Sequence, residues 1–155
     1  METRWTLDKA LDLALNMEKQ SIQLYTSAQD KAQNLESKQF FKELVEQERK
    51  HEAKISEIKL NPDKIGEIGS LDPRIDDLKI VDWLEDVSLS AEANYQQILI
   101  YAAKREKSTH DFYVWLANLY SEKNIGRVFA KLAGEELKHK YLLEKEYDDI
   151  ILKWM

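Results

Sequence analysis

The chain has 155 residues, one domain's length and enough to bury a core, and its formal charge of -6 is spread over interspersed acids and bases, which excludes the clustered basic face that nucleic acid requires. It contains no cysteine, which excludes disulfides, zinc-thiolate sites and a thiol nucleophile, and fits a reducing compartment. Charged residues make up 34%, with only four glycines and two prolines, the composition of a helix bundle rather than of a sheet protein.

Taken in chain order, the opening METRWTLDKALDLALNMEK carries charge within its first four residues and no unbroken apolar run, so neither a signal peptide nor a membrane span is expected, and a cytoplasmic protein is. A first helix is predicted over about 6–34, with Leu11, Ala14, Ile22 and Tyr25 on one stripe at three-and-four spacing. A second is predicted over 37–60, with Phe41, Leu44, Ile55 and Ile58. The segment 61–89 holds both prolines and two of the four glycines, which break the helical pattern and make it a long crossover; its tail KIVDWLEDV has the length of a short helix. A third helix, over about 90–120, uses Tyr95, Leu99, Ala102, Tyr113 and Leu116. The fourth, over about 124–153, uses Phe129, Leu132, Leu143 and Ile150.

The short polar stretches NLES and SEKN join the helices pairwise into hairpins, so the expected fold is all-α: a single domain over 1–155, an antiparallel four-helix bundle of two hairpins joined by the crossover. A crossover of that length also permits one hairpin to swap between two subunits. The dense charge of EKEYDD is read as a solvated face. Trp5, Trp83, Trp115 and Trp154 are far apart and are expected at bundle ends or a subunit contact.

Each stripe is interrupted by a carboxylate where an apolar residue belongs. Glu18 stands between Ala14 and Ile22, Glu106 between Ala102 and Tyr113, and the stripes of the second and fourth helices include Glu48 with His51 and Glu136 with His139. Residues three apart share a helix face, so each Glu-x-x-His pair can aim at one point. The heights agree as well. Glu18 and Glu48 are equidistant from position 33, Glu106 and Glu136 from position 121, so every carboxylate lies about 22 Å from its turn at ~1.5 Å per residue. The two hairpins repeat the pattern: 30 residues separate the glutamates in each, and a tyrosine, Tyr25 or Tyr113, follows the first glutamate by seven.

A repeated half-site implies two metal ions. Burying four carboxylates without cations costs several kcal/mol for each charge, whereas two divalent cations cancel them if the histidines are neutral. Oxygen and imidazole ligands without sulfur suit iron or manganese better than tetrahedral structural zinc, and iron is the expected metal, with manganese or zinc as substitutes. His110, four residues after Glu106, is within reach of the site, but a histidine on a helix flank is more often a structural hydrogen-bonder.

One Glu from each of two helices with Glu-x-x-His from each of the other two resembles the rubrerythrin branch of the ferritin-like di-iron carboxylate proteins. The likeness spans the four helices and is closest over LNMEKQSIQLY (15–25) and IGRVFAKLAGEELKHK (125–140). The resemblance implies that Glu48 and Glu136 bridge two irons, that Glu18, Glu106, His51 and His139 are terminal ligands, and that Tyr25 and Tyr113 hydrogen-bond the carboxylates from outside. It implies a non-haem oxidoreductase acting in oxidative stress, reducing hydrogen peroxide or oxidising ferrous iron with peroxide or dioxygen, and a homodimer. Rubrerythrins proper carry a four-cysteine rubredoxin module; this sequence has no cysteine, so its electron donor is expected to be a separate rubredoxin-like protein. Where the family has an extra glutamate after the third-helix ligand, this chain has Thr109 and His110. The haem-binding methionine of bacterioferritins is replaced by Arg49, so no haem is expected. The alternative is a binding protein without turnover, an iron-sequestering or metal-stabilised bundle.

Overall fold

The computed structural model describes residues 7–61, 81 and 89–151. Four long helices, α1 (Leu7–Lys31), α2 (Leu35–Leu60), α3 (Tyr95–Leu119) and α4 (Asn124–Ile150), account for nearly all of them, and no strand occurs among the described residues. The fold class is all-α, with the helices of a four-helix bundle paired as two hairpins, α1 with α2 and α3 with α4. The chain divides into two compact units, Met1–Glu67 and Ile68–Met155, one hairpin in each. Among the described residues no helix is long and apolar enough to cross a membrane. The short helix expected over KIVDWLEDV, Val81 apart, lies outside the described residues, as do Trp5, Trp83 and Trp154.

Local chemistry sets where the helices begin. Asn34 is the N-cap of α2, its side chain accepting the Ser37 N–H at 2.8 Å, so the first turn is Ala32 to Asn34 and α1 ends at Lys31. Asn94 and Gln97 close a capping box, which starts α3 at Tyr95 rather than near Ser90. In the second turn, Lys123 donates to the Tyr120 carbonyl and Gly126 to that of Lys123. A Cβ on Gly126 would stand 2.2 Å from Tyr120 O, so only glycine lets the first turn of α4 pass this close to the end of α3.

Each hairpin is zipped by side chains at matched heights. In the first, Tyr25 packs on Phe41 with ring centroids 5.9 Å apart, Lys38 Nζ reaches the Gln29 carbonyl, and Lys59 pairs with Asp12 at the far end. In the second, Tyr113 stacks on Phe129 at 6.3 Å, the Tyr95 hydroxyl donates to Glu146, and Gln96 donates to the Tyr147 hydroxyl. The predicted stripe residues Leu11, Ala14, Tyr25, Phe41, Leu44, Ile55, Ile58, Leu99, Ala102, Tyr113, Leu116, Phe129, Leu132 and Leu143 are all buried. Ile22, Tyr95 and Ile150 are only partly covered, because they stand at the edges of the stripes. Trp115 is 41% exposed on the outer side of α3.

The inner faces match at a constant offset of 88 positions: Leu11 with Leu99, Ala14 with Ala102, Tyr25 with Tyr113, Phe41 with Phe129, Leu44 with Leu132 and Ile55 with Leu143. The repeat of glutamates and histidines therefore extends along much of the buried face of each hairpin.

Candidate metal centre

Glu18, Glu48, His51, Glu106, Glu136 and His139 are between 0% and 4% exposed. All six thus lie on the inner faces, flanked by apolar residues one turn away. Helical spacing alone puts them there: Glu18 is four residues from buried Ala14, and Glu48 and His51 occupy the turns between Leu44 and Ile55.

In the first hairpin His51 Nδ1 lies 3.6 Å from Glu18 Oε2 and 3.9 Å from Glu48 Oε1. The second hairpin repeats this, with His139 Nδ1 3.8 Å from Glu106 Oε1 and 4.0 Å from Glu136 Oε2. In both, the ligand atoms of the three residues lie within 4.8 Å of one another. These separations exceed a hydrogen bond. They suit donors around an ion, since ligands about 2.1 Å from one centre stand roughly 3.0 Å apart at a right angle and 4.2 Å apart when opposite. In each triad it is Nδ1 of the imidazole that faces the carboxylates. The donor set of oxygen and neutral imidazole nitrogen, without sulfur, fits a divalent transition metal, and buried carboxylates in this number need cations nearby. The residues present therefore fit metal binding, and each hairpin presents one half-site.

Tyr25 and Tyr113 are fully buried on the same faces as Glu18 and Glu106. Their places in the repeat are alike down to the phenylalanine each packs on. His110 is not in either ligand group; its Nδ1 lies 2.8 Å from the Ala133 carbonyl, across from α3 to α4.

Three features were not anticipated. Ser21 and Thr109, also offset by 88, are both buried three residues after the first glutamate of their hairpin, so each half-site has a hydroxyl on its inner face. The Thr109 hydroxyl donates to the Arg105 carbonyl on its own helix. On α4, Lys140 and Glu144 are buried and paired at 3.2 Å, and Glu144 Oε2 accepts the Val81 N–H at 2.9 Å. This corrects the reading of EKEYDD as a wholly solvated face: Glu144 falls eight residues after Glu136 on the inner stripe, and its charge is met by Lys140 and a backbone donor. The signal was present in the i, i+4, i+8 spacing of Glu136, Lys140 and Glu144.

No protein-family model, curated protein or solved structure matches the chain.

Proposed function

We propose that the two half-sites together hold two iron ions and that the protein is a rubrerythrin-like di-iron oxidoreductase, reducing hydrogen peroxide, or oxidising ferrous iron with peroxide or dioxygen, with electrons from a separate donor. The observation that carries this reading is the same buried Glu and Glu-x-x-His triad in both hairpins at one constant offset. A structural accident places one carboxylate on a core stripe, but not four with two imidazoles in register.

Glu48 and Glu136 would bridge, and Glu18, His51, Glu106 and His139 would serve as terminal ligands. When bound, the iron pair supplies the two electrons that, with two protons, turn one hydrogen peroxide into two waters, and acts as a Lewis acid toward the O–O bond. Glu18, Glu48, Glu106 and Glu136 would supply the negative charge that balances the bound ions. The surrounding apolar stripe keeps bulk water out and strengthens every charge interaction within the site. Tyr25 and Tyr113 lean toward the N-terminal end of their helices, as helical side chains do, and so toward Glu18 and Glu106, which suits a hydrogen bond that orients a carboxylate.

The proposed electron donor is a separate rubredoxin-like protein and the proposed setting the cytoplasm, both compatible with these 155 cysteine-free residues. A homodimer, with or without exchanged hairpins, completes the proposal. The rival reading, a protein that sequesters iron or is stabilised by it without turnover, draws support from the near-complete burial of the ligands, since structural metal sites are closed.

Anaerobic, ferrous-loaded protein mixed with hydrogen peroxide in a stopped-flow spectrometer separates the two. The oxidoreductase reading expects oxidation faster than that of free ferrous iron, and repeated turnover when a reductant is supplied. Oxidation no faster than free iron, with two ions still bound, leaves the sequestering reading in its place.

A further inference from the structure

The two half-sites are alike in their donors and unlike in what holds them. Donor separations agree within a few tenths of an ångström between the hairpins. The departures from the 88-residue repeat, however, gather around the second. At the height of the site, α3 and α4 are tied by His110, whose Nδ1 lies 2.8 Å from the Ala133 carbonyl. A carbonyl only accepts, so Nδ1 carries the hydrogen, in the neutral ring and in the charged one alike, and the tie does not depend on protonation. His110 is four residues from Glu106, and Ala133 three from Glu136, so the bond fixes the two ligand helices against each other within a turn of both carboxylates. The equivalent positions in the first hairpin are Ile22 and Val45, which have no polar side chain to make such a bond.

The second departure lies on α4. Lys140 and Glu144 share the inner face with Glu136, are no more than 1% exposed, and are held through Glu144 to the backbone of Val81. The ion pair lies within α4 and moves with it, but turning or sliding the helix would break the Val81 N–H bond to Glu144 and leave a buried carboxylate short of a donor, so that bond holds the helix carrying Glu136 and His139 in rotation and height. The equivalent residues on α2 are Glu52 and Ser56, both partly exposed.

Resting on the di-metal reading above, we propose that the two metal positions are inequivalent: the α3–α4 half-site is pre-aligned by the His110–Ala133 and Val81–Glu144 hydrogen bonds, binds its ion first, and binds it more tightly. Ligands already fixed lose less freedom when the ion arrives, and groups that orient metal ligands commonly contribute 10- to 100-fold in affinity. His110 acts here as a positioning residue, working through the Ala133 backbone and not through the ion.

The test is a calorimetric titration of the metal-free protein with Mn(II) alone. Wild type should fill in two steps separated by about tenfold or more. His51→Ala should keep the tight step and His139→Ala should lose it. His110→Phe should weaken the tight step by about tenfold and leave the weak one, while His110→Asn, whose amide can donate to the same carbonyl, should recover part of the loss. Two equal sites in the wild type, equal losses in His51→Ala and His139→Ala, or a His110→Phe variant that lowers the melting temperature of the metal-free protein while leaving both steps unchanged would each overturn the inference. Failure of the wild type to bind manganese or ferrous iron at all would overturn instead the di-metal reading on which it rests.

Discussion

Replacing Glu18 by methionine should raise the stability of the metal-free protein and lower its response to metal. Glu18 is 0% exposed and its carboxylate lies within 4.8 Å of donor atoms of both Glu48 and His51, so replacing it in the metal-free protein removes a buried charge that stands beside another acid. An unbranched thioether fills the space with little strain. Exchanging buried ionic groups for apolar ones of similar volume stabilises by roughly 1–4 kcal/mol. For a chain this long, each kcal/mol moves the melting temperature by about 3 °C, so Glu18→Met should melt some 3–12 °C above the wild type in EDTA. Metal adds the opposite effect. At a free concentration a hundred times the dissociation constant, each site contributes about 2.7 kcal/mol, so two sites should raise the wild-type melting temperature by about 16 °C. The variant should gain no more than half of that. Paired calorimetric melts, in EDTA and with Mn(II), read both differences. A variant less stable than wild type in EDTA would show that the carboxylate is held by protein contacts that outweigh its burial. A metal response as large as wild type's would show that Glu18 is no ligand.

Two further outcomes test the frame around the site. Gly126→Ala brings a methyl group within 2.2 Å of the Tyr120 backbone oxygen, which cannot rotate away, so the second turn must open at a cost of about 1–3 kcal/mol, and an unchanged melting temperature would refute that close approach. The half-exposed Lys59 of α2 has its pKa raised above 10.5 chiefly by its hydrogen bond to Asp12, which outweighs the opposing desolvation, with the charges of Asp12 and Asp8 adding smaller upward contributions. A raised folded-state pKa means that the stabilisation is complete below the unfolded value and is lost as pH climbs through the folded one. The stability difference between wild type and Asp12→Asn should accordingly be constant at neutral pH and vanish in alkali above 10.5, and a difference that persists there would assign it to something other than the ion pair.

The burial of the four glutamates and two histidines was legible because a carboxylate on an apolar stripe is an energetic anomaly, and four such anomalies at matched heights cannot be absorbed by a solvated face. The periodicity of 3.6 that placed Phe41 and Leu44 inside placed Glu48 and His51 there as well. Helix ends were harder to read, since Asn34 and Asn94 look like any polar turn residue until the N–H that each side chain accepts is identified. Glu144 carries a local mark in its spacing from Glu136 and Lys140, but the dense charge of EKEYDD masks it, and its backbone donor, Val81, is 63 residues away. The contact of His110 was open for the same reason: ring nitrogens serve equally as ligands and as donors, and only the position of the Ala133 carbonyl separates the two.

The constant offset between the hairpins also shapes how this protein can be studied. Most inner-face residues, the six carboxylates and imidazoles among them, have a counterpart 88 positions away with the same chemistry or a close relative of it, so substitutions at those positions come with an internal control. Phe41→Ala beside Phe129→Ala, or Tyr25→Phe beside Tyr113→Phe, asks one chemical question twice in one molecule. Where the two answers agree they describe the residue, and where they differ they measure what the surrounding half has acquired on its own.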